Sequence, residues 1–278
     1  MMSHSLLPLL VCLSTTVLLL AVLVTQESCK EYGYDHQQGY EVHPGKPFCS
    51  WKCLVFTLQW PGGFCLSLHN WTECVIPQNY HNWTIHGLWP LNVMKCCNCW
   101  PMFQSDVQEI EEELNEQWPS FLKSSSSFHF WNEEWQKHGV CAACVEGFNS
   151  PLRYFQICLK LRAHFDIHKM LDAAGITPSC ERPYEVKEVH SILAPFLGDK
   201  HEIQCVRDVK GREVWFQVKI RLSPNLSIGC DHHHQDDERN LAEEHRSARS
   251  TFPGHPCPPQ IPFYYFPINH EAPHQPCG

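Results

Sequence analysis

The chain has 278 residues, 43% of them hydrophobic, enough to bury the core of one large domain or two small ones. Its formal charge is −9 with the 19 histidines counted as neutral. That balance excludes a protein that grips nucleic acid through bulk positive charge, so any nucleic-acid chemistry has to rest on a local site.

Leu6 to Val24 is a continuous apolar run after a short head without Lys or Arg. It reads as a secretory signal peptide, with an uncleaved signal anchor as the alternative because the run is long enough to span a bilayer. Both readings place the rest of the chain in the secretory lumen or outside. Of the 17 cysteines only Cys12 lies in this run. The remaining cysteines, with clusters such as Cys96, Cys97 and Cys99, argue for disulfides in an oxidising compartment. Zinc is the rival, through Cys141 and Cys144 or the cluster, but no four-ligand spacing completes such a site. Asn70, Asn82 and Asn225 each open a glycosylation sequon, in keeping with export.

Leu54 to Trp60 alternates as a strand and stops at Pro61-Gly62-Gly63. Trp83 to His86 is short and β-prone, with a turn expected at Gly87 and Pro90. Ser105 to Trp118 reads as an acidic surface helix started near Asp106 and ended by Pro119. Arg153 to Ala174 carries helical apolar spacing, and Glu185 to Leu197 reads as another helix. Glu213 to Leu222 alternates well and is a strand. The stretch that begins at Asp231 with DHHHQDDE is charged and polar and reads as solvated. The end of the chain is Pro-rich around the aromatic patch Phe263 to Phe266. Strands interleave with helices without a βαβ rhythm, so the expected class is α+β.

Two stretches carry chemistry. Set on a helix at about 100° per residue, Phe130 to His138 brings Glu134, Lys137 and His138 to one face beside Phe130 and Trp131. That face can take a proton, stabilise an anion and offer a ring to a base. An amphipathic helix with a Glu134–Lys137 pair is the plain alternative. About fifty residues earlier, Ile85-His86-Gly87-Leu88-Trp89-Pro90 puts a histidine at a strand end before a glycine.

Together these stretches resemble the ribonuclease T-two family, the secreted and vacuolar acid ribonucleases. His86 to Pro90 matches its first catalytic stretch. Glu134-Trp135, Lys137-His138-Gly139 and Cys141 match the second, and Gln59-Trp60-Pro61 with Cys65 match a further motif. The resemblance runs from about Val55 to Cys205, weakly to Phe266, and is closest to the animal members.

The resemblance implies an α+β fold with a twisted, mainly antiparallel central sheet, several packed helices and many disulfides. It implies an endoribonuclease of single-stranded RNA that works without metal or other cofactor, favours acid, leaves DNA intact and is a monomer of the secreted or lysosomal lumen. His138 would be the general base and His86 the general acid. Glu134 and Lys137 would stabilise the charged transition state, while Gln59, Trp89 and Phe130 would line base sites. The implied disulfides are Cys65–Cys74, one of Cys96, Cys97 or Cys99 with Cys141, and Cys205–Cys257. The implied layout is a signal peptide or anchor at 1–28, an extension at 29–50, the catalytic domain at 51–230, a polar insert at 231–252 and a closing segment at 253–278.

Three positions depart from the family pattern. Glu133 stands where many members carry a phosphate-contacting histidine, and Leu91 where many have a purine-contacting acid. Near Arg221 an expected cysteine is replaced, which leaves Cys230 without its usual partner. Two other classes of function stay open on the sequence: a degenerate nuclease fold that acts by binding a partner, and a metal-binding protein using His232, His233 and His234.

Overall fold

The computed structural model describes residues 51–68, 73–93, 96, 100–230 and 254–278. The N-terminal run and extension, the polar insert with its three histidines, Asn70, Cys97 and Cys99 lie outside them.

Strand β1 (Leu54–Gln59) is central to the sheet that carries the site. It sends Leu54, Phe56 and Leu58 into the main core, each fully buried and each contributing about 1.5–3 kcal/mol by leaving water. Val55, Thr57 and Gln59 take the opposite face by the period of two. Trp60 ends the strand, and α1 (Pro61–Phe64) follows with Pro61 in its first turn, where a missing N–H costs nothing.

β1 is flanked by β2 (Thr84–Pro90) and, later in the chain, by β5 (Glu213–Leu222). β4 (Glu202–Arg207) and β6 (His255–Pro256) complete the order β2-β1-β5-β4-β6. These pairs are antiparallel. Two short strands, β3 (Pro183–Tyr184) and β7 (Phe263–Tyr264), pair with each other, and β7 runs parallel to β5. The class is α+β, as expected.

Beyond β2 come α2 (Glu111–Gln117), α3 (Ser127–Glu134), α4 (Val140–Ala142), α5 (Pro151–His164), α6 (Ile167–Ala173) and α7 (Val186–Leu197). Ser126 caps α3, Ser150 caps α5 and Asp166 caps α6, each accepting from a backbone N–H three residues on. α5 packs on the apolar face of the sheet. Its Tyr154 hydroxyl donates to the Leu88 carbonyl at 2.8 Å and its Arg162 Nε to the Trp83 carbonyl at 2.9 Å, which fixes β2 against it.

Several local expectations are corrected. The turn at Gly87 and Pro90 does not form: β2 runs through both, with Pro90 opposite Leu54. An edge strand tolerates proline because one row of its backbone groups needs no ladder partner. The expected helix from Ser105 begins as two 3-10 turns, Gln104–Asp106 and Gln108–Ile110, before α2. The expected helix from Arg153 to Ala174 breaks at Phe165, and Asp166 starts a second one.

Cys65–Cys74, Cys96–Cys141 and Cys205–Cys257 are disulfides, as the resemblance implies, with Cys96 the partner of Cys141. Cys230, expected without its usual partner, is joined to Cys53. Cys180 is bonded to Cys277. Cys144 is also disulfide-bonded, so Cys141 and Cys144 are not a zinc pair. Cys158 is a buried free thiol.

Candidate active site

The site forms where α3 meets the edge strand β2. In the β1–β2 ladder Thr57 faces Gly87 and Leu58 faces Ile85, so His86 is the extra residue of a β-bulge. A bulge bends the strand and re-aims a side chain. His86 is thereby turned toward β5, where the Gln217 amide nitrogen meets its Nδ1.

The second imidazole sits on another irregularity. α3 passes into a π-helical turn, Trp135–Gly139, closed by the i→i+5 bond from the Val140 N–H to the Trp135 carbonyl. Such turns often mark functional sites, because one additional residue shifts the phase of all that follow. Gly139 is required here: a Cβ would collide with the Trp135 ring.

The regular-helix expectation is therefore met only in part. Glu134 is buried and His138 half-buried, and both face Trp89. Trp135 points into the core, where its indole donates to the Trp100 carbonyl. Lys137 lies at the surface, its ammonium 2.9 Å from Glu133, which also faces His129 at 3.5 Å. Glu133 is thus neither a bare carboxylate at the phosphate position nor a residue pointing idly to solvent.

Trp89 organises the centre. Its ring lies 5.0 Å from His86, edge-on, and 5.4 Å from His138. Its Nε1 donates to Glu134 Oε2 at 2.8 Å. Gly87 lets this packing close, since a Cβ there would meet both the Glu134 carboxyl and the Trp89 indole. Phe130 stands 6.0 Å from the His86 ring, beside the histidines. Gln59 is buried on β1 opposite Gln217, and its Oε1 has no hydrogen-bond partner among the described residues.

The electrostatics follow from burial. Desolvation, helped by the positive charges of Lys219 and Lys137, pushes His86 down to about 3. Desolvation and then the neighbouring His86 and Lys137 push His138 down to about 3. Burial raises Glu134 to about 8 against the Trp89 hydrogen bond and Lys137. The unliganded pocket therefore holds neutral groups near neutrality and does not repel an incoming anion.

Gln217 and Lys219 were not among the residues singled out in the sequence. Their one signal was polar side chains two apart in a strand otherwise buried. Among the glycosylation candidates, Asn82 is half-buried with its Oδ1 accepting from the Trp83 N–H at 2.7 Å, and Asn225 is exposed in a turn. The described residues contain no group of three or more His, Cys, Asp or Glu placed to hold a metal.

Two imidazoles close to one indole, with a neutral-prone carboxyl bonded to that indole, make up a candidate acid–base site on a disulfide-braced α+β fold. Residues 51–239 match the Ribonuclease T2 family, and the chain belongs to that family of endoribonucleases. Ribonuclease T2 of Danio rerio is 34% identical over 226 residues, 80% of this chain and 90% of that protein. Extracellular ribonuclease LE of Solanum lycopersicum is 30% identical over 60% of this chain and 74% of its own length. The crystal structure of human RNase T2 superposes with a TM-score of 0.61 at 27% identity, covering 78% of this chain and 99% of that one.

Proposed function

We propose that this chain is an acid-favouring endoribonuclease of the secretory pathway that cleaves single-stranded RNA by attack of the 2′-hydroxyl on the neighbouring phosphate. The observation that carries this reading is the convergence of His86 and His138 on the Trp89 ring, 5.0 and 5.4 Å from it. The substrate brings its own nucleophile. A neutral His138 takes the 2′-hydroxyl proton, and a protonated His86 gives one to the leaving 5′-oxygen. The products are a 2′,3′-cyclic phosphate and a free 5′-hydroxyl.

Gln217 suits the acid role of His86. Its NH₂ can donate to Nδ1 of the neutral ring, and its oxygen can accept from Nδ1–H of the imidazolium. Glu134, protonated over much of the working range, can donate to a phosphoryl oxygen without adding negative charge. Phe130 and the Trp89 ring offer stacking surface to bases. The depressed pKa of His86 supports the acid preference, because the free protein carries the required imidazolium only at low pH.

No step in this scheme needs a metal. Five disulfides among the described residues and the extracellular relative support passage through the secretory pathway. The purified monomer, incubated with RNA across pH 4 to 8 with and without a chelator, is expected to cut best in acid and to ignore the chelator. DNA should stay intact, and a single 2′-deoxynucleotide 5′ of a scissile phosphate should block cleavage there. Cutting at such a deoxy site would sink the mechanism, because another nucleophile would then be at work.

A further inference from the structure

We propose that Lys219 binds the scissile phosphate of the substrate and supplies positive charge there beyond that of Lys137, which is tied to Glu133. The inference rests on the ribonuclease reading above and adds a residue to it.

The register of the sheet places Lys219. On β1, Thr57 faces Gly87 on one side and Lys219 on the other, so Gly87, Thr57 and Lys219 form one row across three strands. His86 is the bulge residue next to Gly87. Two positions from Lys219 and on the same face, Gln217 touches the His86 ring. A lysine on this face, with its flexible four-carbon stem, can reach over Thr57 toward the imidazole that serves the leaving oxygen. Its charge is felt there: after burial, Lys219 comes ahead of Lys137 among the causes that lower His86.

Lys219 is half-buried, yet among the described residues no carboxylate pairs with it. The nearest candidate is Glu202, directly opposite on β4. Glu202 is already engaged by Arg221 Nη2 at 2.8 Å and by Gln204 Nε2 at 3.2 Å. A partly desolvated ammonium without a counter-ion is costly, and an anion that arrives with the substrate relieves that cost. Lys137 also acts on the histidines, but it differs in exposure and pairing. It is 58% exposed and holds Glu133 at 2.9 Å. In a site whose Glu133 replaces a group able to carry positive charge, Lys219 is the cation without a carboxylate partner among the described residues.

The test uses dinucleoside monophosphates, which contain only the scissile phosphate, with longer RNA in parallel. Lys219→Met is expected to lower turnover of the dinucleoside by roughly 10²-fold, the usual effect of removing one transition-state charge contact. Lys219→Arg, which keeps the charge, should recover most of that loss, and Lys137→Met should cost less than Lys219→Met. Should Lys219→Met fail to fold, Lys219→Gln carries the same comparison. Wild-type turnover of the dinucleoside by Lys219→Met, a loss seen only on longer RNA, or an arginine variant no better than methionine each overturns the proposal. Wild-type protein that cuts no RNA overturns the ribonuclease reading itself, a result distinct from an active wild type beside an equally active variant.

Discussion

Trp89 Nε1 donates to Glu134 Oε2 at 2.8 Å, and this bond links the edge strand bearing His86 to the helical segment bearing His138. It joins residues 45 positions apart. Trp89→Phe keeps an aromatic ring beside the imidazoles, though a smaller one, and removes the N–H. The buried Glu134 oxygen is then left unpaired, at a cost of roughly 1–3 kcal/mol. Turnover is expected to fall and the unfolding midpoint to drop. Unchanged values for both would show that the ring alone organises the site.

His86→Ala and His138→Ala are each expected to lower RNA cleavage by roughly 10²–10⁴-fold, the range of general acid–base catalysis. Circular dichroism should show both variants folded. Full activity in either folded variant would remove that histidine from the mechanism.

The two histidines also set a pH dependence of stability. Both are held well below their ordinary value of 6.5, down to about 3. The unfolded chain therefore binds protons that the folded chain refuses, and stability present above pH 6.5 is lost as pH falls toward 3. Glu134, raised from 4.5 to about 8, works in the opposite sense. Its contribution is complete below pH 4.5 and is lost as pH rises through 8. Urea unfolding of His86→Asn and His138→Asn should show a shallower acid decline than wild type, and Glu134→Gln a shallower alkaline one. Parallel profiles for wild type and variants would contradict these assignments.

Glu133 is expected to restrain Lys137, which it meets at 2.9 Å. Glu133→Gln frees that ammonium and removes one negative charge beside the substrate path, so KM for RNA should fall, most visibly at low salt. Stability should scarcely change, since an exposed pair of this kind contributes about 0–1 kcal/mol. Identical KM values for wild type and variant at low salt between pH 5 and 7 would make Glu133 a bystander.

The regular parts of this fold were legible in the sequence because their side chains alternate against a core. Leu54 to Gln59 and Glu213 to Leu222 could be read almost to the residue. β4 went unread, as its Ile203, Cys205 and Val206 give too short a pattern. β2 was cut short because Gly87 and Pro90 read as a turn, and local propensity does not reveal that a strand will lie at a sheet edge. The two stretches that meet in the candidate site were legible, but not the partnership of Gln217 with His86 across 131 residues. Alternation shows which residues share a face of one strand. It does not show which strand becomes the neighbour.

Both imidazoles stand where the backbone carries one residue more than its regular pattern needs, His86 in the bulge and His138 in the π turn. Local chain length is therefore what sets the direction of both rings. Deleting Gln136, an exposed side chain without a proposed role, would return the turn to ordinary helix and carry His138 round the axis away from Trp89. Every group with chemistry would remain in the sequence, and a comparison by motif would still score the protein as intact. On the proposed mechanism, RNA cleavage by the deletion variant is expected to be lost through a change of phase alone.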